Sequence, residues 1–394
     1  DYVETLRLEK LEVKPLDPVR QMEYLHRYLG QSEGEQLFWQ MAGEEVTALW
    51  QVWQGAGGTW EQFFAADKMP DAVYRRTTGA QDDLWKRLQE GWLPPLWALG
   101  RNPFMLVMLA QVYAARGGVL PQNRGRLFAA FVDTLLAREE QRCDSTLWPG
   151  ADLLRLGMAR LAYAMQDAGE HGTAVEAAWA MKQMAQPGVE VDRLVYLCAS
   201  ATLLDSSNGR VRFVHQLVQE YFAALALAGR LRRGDALQRY WSKDWTQPSG
   251  WEETFILLAG MLPDMTALIE RLLPIHPVLA ARCIAESGGE RPAETTARAV
   301  QQRLVKLVTD TQAPIPQRNA AGVAINYLGD PRRGVGLRLD GLPDIEWVLV
   351  PERDPKSGRK EYIYGDGRGS NREVRTEPDF WIARYPITRA QFQT

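Results

Sequence analysis

An Asn208-Gly209 pair stands between two short β-prone runs, Thr202-Leu203-Leu204 and Val211-Arg212-Phe213. Asn-Gly supplies two adjacent residues that tolerate positive φ, the requirement of a two-residue hairpin turn, so this stretch reads as a β-hairpin. Apolar residues at helical spacing precede it over Leu153 to Gln166, Thr173 to Ala185 and Val191 to Ala199. After it, Val214, Leu217, Val218, Tyr221, Phe222 and Leu225 form one stripe, and the same reading turns Gln219 and Glu220 outward. Three helices, a short wing and a closing helix between about Pro149 and Arg233 describe a winged helix.

The flanking chain carries strong punctuation. Residues 6 to 16 alternate, with Leu11 and Val13 opposite Glu12 and Lys14, which predicts a half-buried strand. Asp17 is a ready N-cap, Pro18 suits the first helical position, and Gly30 ends the run. Residues 31 to 100 are aromatic-rich and broken by Gly and Pro, with helical patches over Leu37 to Trp53 and Leu84 to Leu93. Asn102-Pro103 starts a second well-signalled helix, and Phe104 to Leu109 are apolar on every face, so that helix must be buried all round. Leu127 to Leu136 predicts a long helix beginning after Leu120-Pro121. Further helices are expected over Trp251 to Met261, Met265 to Leu273, Val278 to Glu286 and Ala293 to Val308, and strands over Ile345 to Val350, Glu361 to Tyr364 and Phe380 to Ala383.

The reading is mainly α. It comprises a terminal strand (1–17), a helical domain (18–123), a winged helix (124–233), a helical bundle (234–330), a Gly, Pro and Arg linker (331–343) and a truncated β-containing domain (344–394). At 394 residues several cores are expected. The chain opens at Asp1 without Met and stops at Thr394 inside a segment that reads as continuing, so both ends are expected to be cuts. Net charge is −3 with the signs mixed, which leaves no basic field for holding nucleic acid non-specifically. The third winged-helix helix offers only Arg193 as a base, while Leu194, Leu197 and Cys198 need burial; a DNA-reading helix would be more polar. Cys143, Cys198 and Cys283 are far apart and read as reduced thiols of a cytoplasmic protein. No apolar run reaches the roughly 20 residues that span a bilayer.

A phosphate-cradling loop needs glycines followed by Lys and Ser or Thr, and the chain holds no Gly-Lys pair. Gly365-Asp366-Gly367-Arg368-Gly369 has no helix after it and reads as a surface turn. Yet Val13-Lys14-Pro15-Leu16-Asp17, Asn102-Pro103-Phe104-Met105-Leu106, Leu120-Pro121 with Arg126-Leu127-Phe128, and Arg212-Phe213-Val214-His215-Gln216 running to Gln219-Glu220-Tyr221-Phe222-Ala223-Ala224 occur in that order. Over residues 1 to about 260 this resembles the distal half of a NACHT-type module of the STAND ATPases. The resemblance implies an ATP/ADP-controlled signalling switch, bacterial defence among its settings. Its phosphate loop and Mg2+ site would lie upstream of Asp1. Nucleotide would be the ligand of the whole protein, with self-association in the active state and a trigger ligand of unknown kind. Two positions carry over. Pro103 matches the helical-domain proline packed on adenine, and His215 the winged-helix histidine that reaches the diphosphate of bound ADP. An N-cap dipeptide and a satisfied core histidine are the plainer readings of the same two residues.

Leu328-Gly329-Asp330-Pro331-Arg332, Gly341-Leu342-Pro343-Asp344-Ile345, Trp347-Val348-Leu349-Val350-Pro351 and Phe380 to Thr388 resemble the opening of a formylglycine-generating, sulfatase-modifying domain, whose fold is C-type-lectin-like. Glu352 to Lys356 stands where that family has a glycine-rich turn, and the resemblance implies that its copper-binding cysteines and calcium ligands would lie beyond Thr394, so no catalytic residue is assigned. An oxidase with a NACHT-like regulatory region is the rival reading. A winged-helix DNA-binding regulator is disfavoured by charge.

Overall fold

The computed structural model describes residues 14–394 apart from 92, 122, 242–243, 287–290, 339, 352–361, 365–372, 376–377 and 393–394. The strand expected over residues 6 to 16 and the surface turn at Gly365 lie outside, or almost wholly outside, the described residues. Helix makes up 61% of the chain and strand 6%, so the fold is mainly α with a small β-containing C-terminal part. The chain divides after Glu294 into two compact units.

The first unit opens with α1 (Pro18–Leu29), α2 (Gln31–Ala42), α3 (Glu44–Gly55), α4 (Trp60–Ala65), α5 (Asp71–Tyr74), α6 (Gly79–Gln89), α7 (Pro95–Leu99) and α8 (Pro103–Ala115). Asp17 caps α1 as expected, its carboxylate accepting from the Arg20 amide at 2.8 Å. The patch read as one helix over Leu37 to Trp53 is two, because Gly43 at φ 84° breaks the run. A side chain at Gly34 would come within 2.8 Å of the Leu25 backbone, so α1 and α2 meet at glycine contact. Trp53, Trp97, Phe38 and Phe63 fill the core between these helices. In α8, Met105, Leu106, Met108, Leu109 and Val112 are buried, which is why a helix without a polar face forms here.

The long helix α9 (Arg124–Arg142) starts later than Leu120-Pro121, because the Asn123 side-chain Oδ1 caps it by accepting from the Arg126 amide at 2.9 Å. Then come α10 (Ala151–Asp167), β1 (Val175–Glu176), α11 (Ala177–Met184), α12 (Val191–Ser200), β2 (Leu204–Ser207), β3 (Arg210–Phe213) and α13 (Gln216–Arg232). The turn is the expected one, with Asn208 at φ 53°, Gly209 at φ 71° and Ser207 opposite Arg210. The hairpin is displaced, however. Thr202 takes φ 59° and stays outside the strand, which starts at Leu204. The expected helix over Thr173 to Ala185 is also corrected: Val175 and Glu176 pair with Val211 and Arg210, giving an antiparallel sheet of order β1-β3-β2. Helix, strand, two helices, hairpin and helix are the topology of a winged helix, closed on Leu154, Met158, Leu194, Leu197, Val211 and Phe222.

Gln219 and Glu220 do not face outward. They are 0% and 3% exposed, because α13 is wedged between α10 and α14 (Glu252–Met261) and is buried on every side from Val218 to Ala224. Gln219 is satisfied there: its carbonyl accepts from the Gly172 amide at 3.1 Å and its amide donates to the Glu170 carbonyl at 2.9 Å. The unit continues with α15 (Thr266–Leu272) and α16 (Pro277–Ala285), close to the predicted bounds.

In the second unit, α17 (Glu294–Thr309) and α18 (Ile315–Leu328) precede β4 (Trp347–Val350), β5 (Tyr362–Tyr364), β6 (Glu373–Arg375), β7 (Phe380–Ala383) and α19 (Arg389–Phe392). The sequence reading missed α18 and β6. β4 pairs with β7 and β5 with β6, both antiparallel. The stretch expected to be a linker makes contacts of its own, with Arg332 paired to Asp330 at 2.5 Å and stacked over the Tyr385 ring at 4.9 Å.

Candidate functional site

The two residues singled out by the sequence sit at the starts of two helices. Asn102 caps α8, its side-chain oxygen accepting from the Phe104 amide at 2.9 Å and the Met105 amide at 3.3 Å, which leaves Pro103 exposed at the first helical position. The Leu16 amide donates to the Arg101 carbonyl at 2.8 Å, and this bond sets Lys14 and Pro15 across from the α8 start. Between them lies an open cleft of about 510 Å³ lined by Lys14, Pro15, Ala98, Arg101, Asn102 and Pro103. Neither Lys14 nor Arg101 has a carboxylate partner among the described residues, and the two cations share the cleft's lining with Pro15 and Pro103.

His215 occupies the N-cap of α13. Its Nδ1 accepts from the Leu217 amide at 3.1 Å, and burial pushes the imidazole below its usual pKa. A neutral ring whose Nδ1 accepts must carry its proton on Nε2, so His215 presents an N–H donor there. No described residue accepts from it. The ring stacks on Phe104 with centroids 5.0 Å apart and planes 4° from parallel, and Phe104 in turn packs edge-on against Phe131 of α9 at 6.0 Å. Pro103 and His215 are thus linked through Phe104, although His215 does not itself line the cleft.

The cleft itself offers two cationic side chains and an exposed proline face, which suit an anionic ligand with a flat apolar part, while the His215 N–H lies outside its lining. Phe104, Lys14 and Arg101 were not assigned a role from sequence. The available signal was Phe104, a large aromatic at the mouth of an otherwise fully apolar helix.

One turn into α13, Glu220 is a second unassigned group. Gln216 donates to its Oε1 at 2.8 Å, Oε2 has no partner, and burial pushes the carboxyl up to about 7, with Glu253 adding to the rise and Arg124 opposing it. Nearby, Arg124 bridges Glu253 at 2.9 Å and also pairs with Glu286, while Arg282 holds Glu253 at 2.7 Å and Glu286 at 3.2 Å. This lattice joins α9, α14 and α16 beside α13.

Among the described residues no group of three or more His, Cys, Asp or Glu is placed to hold a metal ion. Cys198 and Cys283 are buried, and burial pushes both thiols up, which makes them unreactive. No described helix is long and apolar enough to cross a membrane. No family model and no curated protein matches the sequence.

Proposed function

We propose that this chain is the helical and winged-helix part of a cytoplasmic, NACHT-type STAND signalling protein, in which ADP or ATP controls a conformational switch. The supporting observation is the Phe104–His215 stack, which couples the start of α8 to the start of α13. Pro103 would flank the adenine, Lys14 and Arg101 would lie near the phosphates, and His215 would donate from Nε2 to the diphosphate of ADP. A nucleotide that makes these contacts in one state and not the other shifts the equilibrium between states by its differential affinity. The phosphate loop and Mg2+ belong to an NTPase core supplied elsewhere in the protein, since no Gly-Lys pair occurs here. The C-terminal unit would act as sensor or effector, and the active state would self-associate.

The test is amide hydrogen exchange on the protein carrying its NTPase core, loaded with ADP or with a non-hydrolysable ATP analogue. The amides of residues 104–108 and 214–218 should be more protected with ADP. Equal protection in both states would defeat the switch reading.

A further inference from the structure

We propose that the groove between α10 and α13 is a docking slot for an acidic amphipathic helix of a partner protein. The groove lies wholly within the winged helix and uses none of the residues invoked for nucleotide. Its volume is about 840 Å³. Two parallel stripes build it: Leu156, Ala159, Arg160, Tyr163 and Ala164 recur at helical spacing on α10, and Leu225, Ala226, Gly229, Arg230 and Arg233 do so from α13 into its C-cap. Lys182 of α11 closes one side. The Leu156 to Ala164 stripe runs about 12 Å, or roughly two helical turns.

The floor is apolar and low. Ala159, Ala226 and Gly229 keep it so, and Leu156 is 43% exposed within it. Two packed helices with small residues along their shared groove leave space for the ridge of a third helix, which is helix-in-groove recognition.

The rim is cationic, and no carboxylate lines the groove. Arg155 is neutralised by Asp133 at 2.7 Å and Asp152 at 3.0 Å, and Arg230 by Asp235 at 2.7 Å while it lies over the Tyr163 ring. The other four cations have no carboxylate partner among the described residues. Arg160 donates only to the Ala185 carbonyl and Arg232 only to the Ala228 carbonyl, while Lys182 and Arg233 have neither. Four uncompensated charges around an apolar slot, in a chain of net charge −3, select an occupant with carboxylates flanking an apolar ridge. A nucleic-acid strand suits the groove poorly. The single aromatic in it, Tyr163, is covered by Arg230 and its hydroxyl bonds to Tyr240 at 3.0 Å, so no face is free for base stacking.

The experiment titrates the whole chain against a fluorescent peptide of roughly 15 residues, long enough to be helical, with Leu at i, i+3, i+4 and i+7 and Glu elsewhere. Two comparators are a scrambled peptide of the same composition and an oligo-dT strand. The amphipathic peptide should bind at least about 10-fold tighter than either. Arg160→Glu and Lys182→Glu should each weaken it about 10-fold, and Ala226→Trp, which fills the slot without touching a charge, should do the same. Circular dichroism melts should match wild type for all three variants. Equal binding of the scrambled peptide or oligo-dT would reduce the groove to a polyanion patch and overturn the proposal, as would an Ala226→Trp variant that binds normally or the absence of peptide binding by wild type.

Discussion

Replacing His215 separates two roles that its two ring nitrogens perform. Nδ1 caps α13, and loss of a side-chain cap costs about 1 kcal/mol; the stacked contact with Phe104 adds about 0.5–1.5 kcal/mol. His215→Ala removes both, and the melting temperature should fall by roughly 3–10 °C with or without nucleotide. The Nε2–H is the group assigned to ADP. A hydrogen bond to a charged phosphate contributes roughly 1.5–3 kcal/mol, so its loss should weaken ADP binding by about 10- to 150-fold and raise basal signalling. His215→Asn divides the effects: the Asn oxygen can restore the cap, but its amide does not reach as far as Nε2. That variant should recover the cap's share of the stability, about 1 kcal/mol, but not the stacking contribution, and none of the ADP affinity.

His276 provides the internal control, since it caps α16 in the same way, Nδ1 accepting from the Leu279 amide at 3.2 Å. It is buried under Trp241 and Trp245, whereas His215 stacks on the half-buried Phe104. His276→Ala should lower the melting temperature and leave ADP affinity unchanged. The assay is paired calorimetric titration and thermal melting of the four proteins, each with its NTPase core. If His215→Asn binds ADP as tightly as wild type, His215 is a cap and nothing more.

Three further outcomes follow from buried groups and close packing. Glu220 is pushed from 4.5 to about 7, so the folded state holds its proton longer than the unfolded chain; its favourable contribution is complete below about 4.5 and is lost as pH rises through about 7. Glu220→Gln, which keeps an acceptor for Gln216, should therefore stabilise the fold by about 1–3 kcal/mol at pH 8 and little at pH 4.5, read from urea midpoints. For His276 the sign reverses: burial lowers it from 6.5 to about 4, stability is present above 6.5, and about 3 kcal/mol is lost as pH falls through about 4, a slope that His276→Asn should flatten. Gly125→Ala would set a methyl 2.5 Å from the Leu257 carbonyl where α9 meets α14, and should cost about 1–3 kcal/mol in a denaturant titration.

What could be read from the sequence was what the chain decides over a few residues. Asp17-Pro18, Asn102-Pro103 and Asn208-Gly209 each fix their own backbone by capping or by positive φ, and the structure keeps all three. The misreadings share the opposite cause. Val175 and Glu176 continue a helical pattern, but Val211 and Arg210 offer them strand partners, and distant pairing overrides local preference. Gln219 and Glu220 were turned outward because polar residues on an amphipathic helix normally face water. Here packing on two sides buries them, with Gly172 and Glu170 satisfying one and Gln216 half-satisfying the other. Basic residues in the last turn of a helix normally form a solvated end that complements the dipole, which is the plain reading of Arg230 to Arg233. That holds for Arg232 and Arg233, yet Arg230 lies over Tyr163, and the groove's other cations come from α10 and α11, which no linear reading could gather.

The same limit applies to the site. His215 and His276 are both N-cap histidines with lowered pKa, and each opens a helix that buries apolar residues, so the capping pattern alone does not separate a sensor from a cap. The separation lies in their surroundings. Two tryptophans pack on His276, which is 5% exposed, whereas His215 stacks on the half-buried Phe104, whose neighbour Pro103 is exposed and lines a cleft that His215 does not itself enter. An imidazole whose second nitrogen is committed to no protein partner, and whose first is held by the backbone, has a fixed ring plane and a fixed direction for its N–H. That preorganisation makes a donor effective toward a charged ligand, because no side-chain freedom remains to be lost on binding.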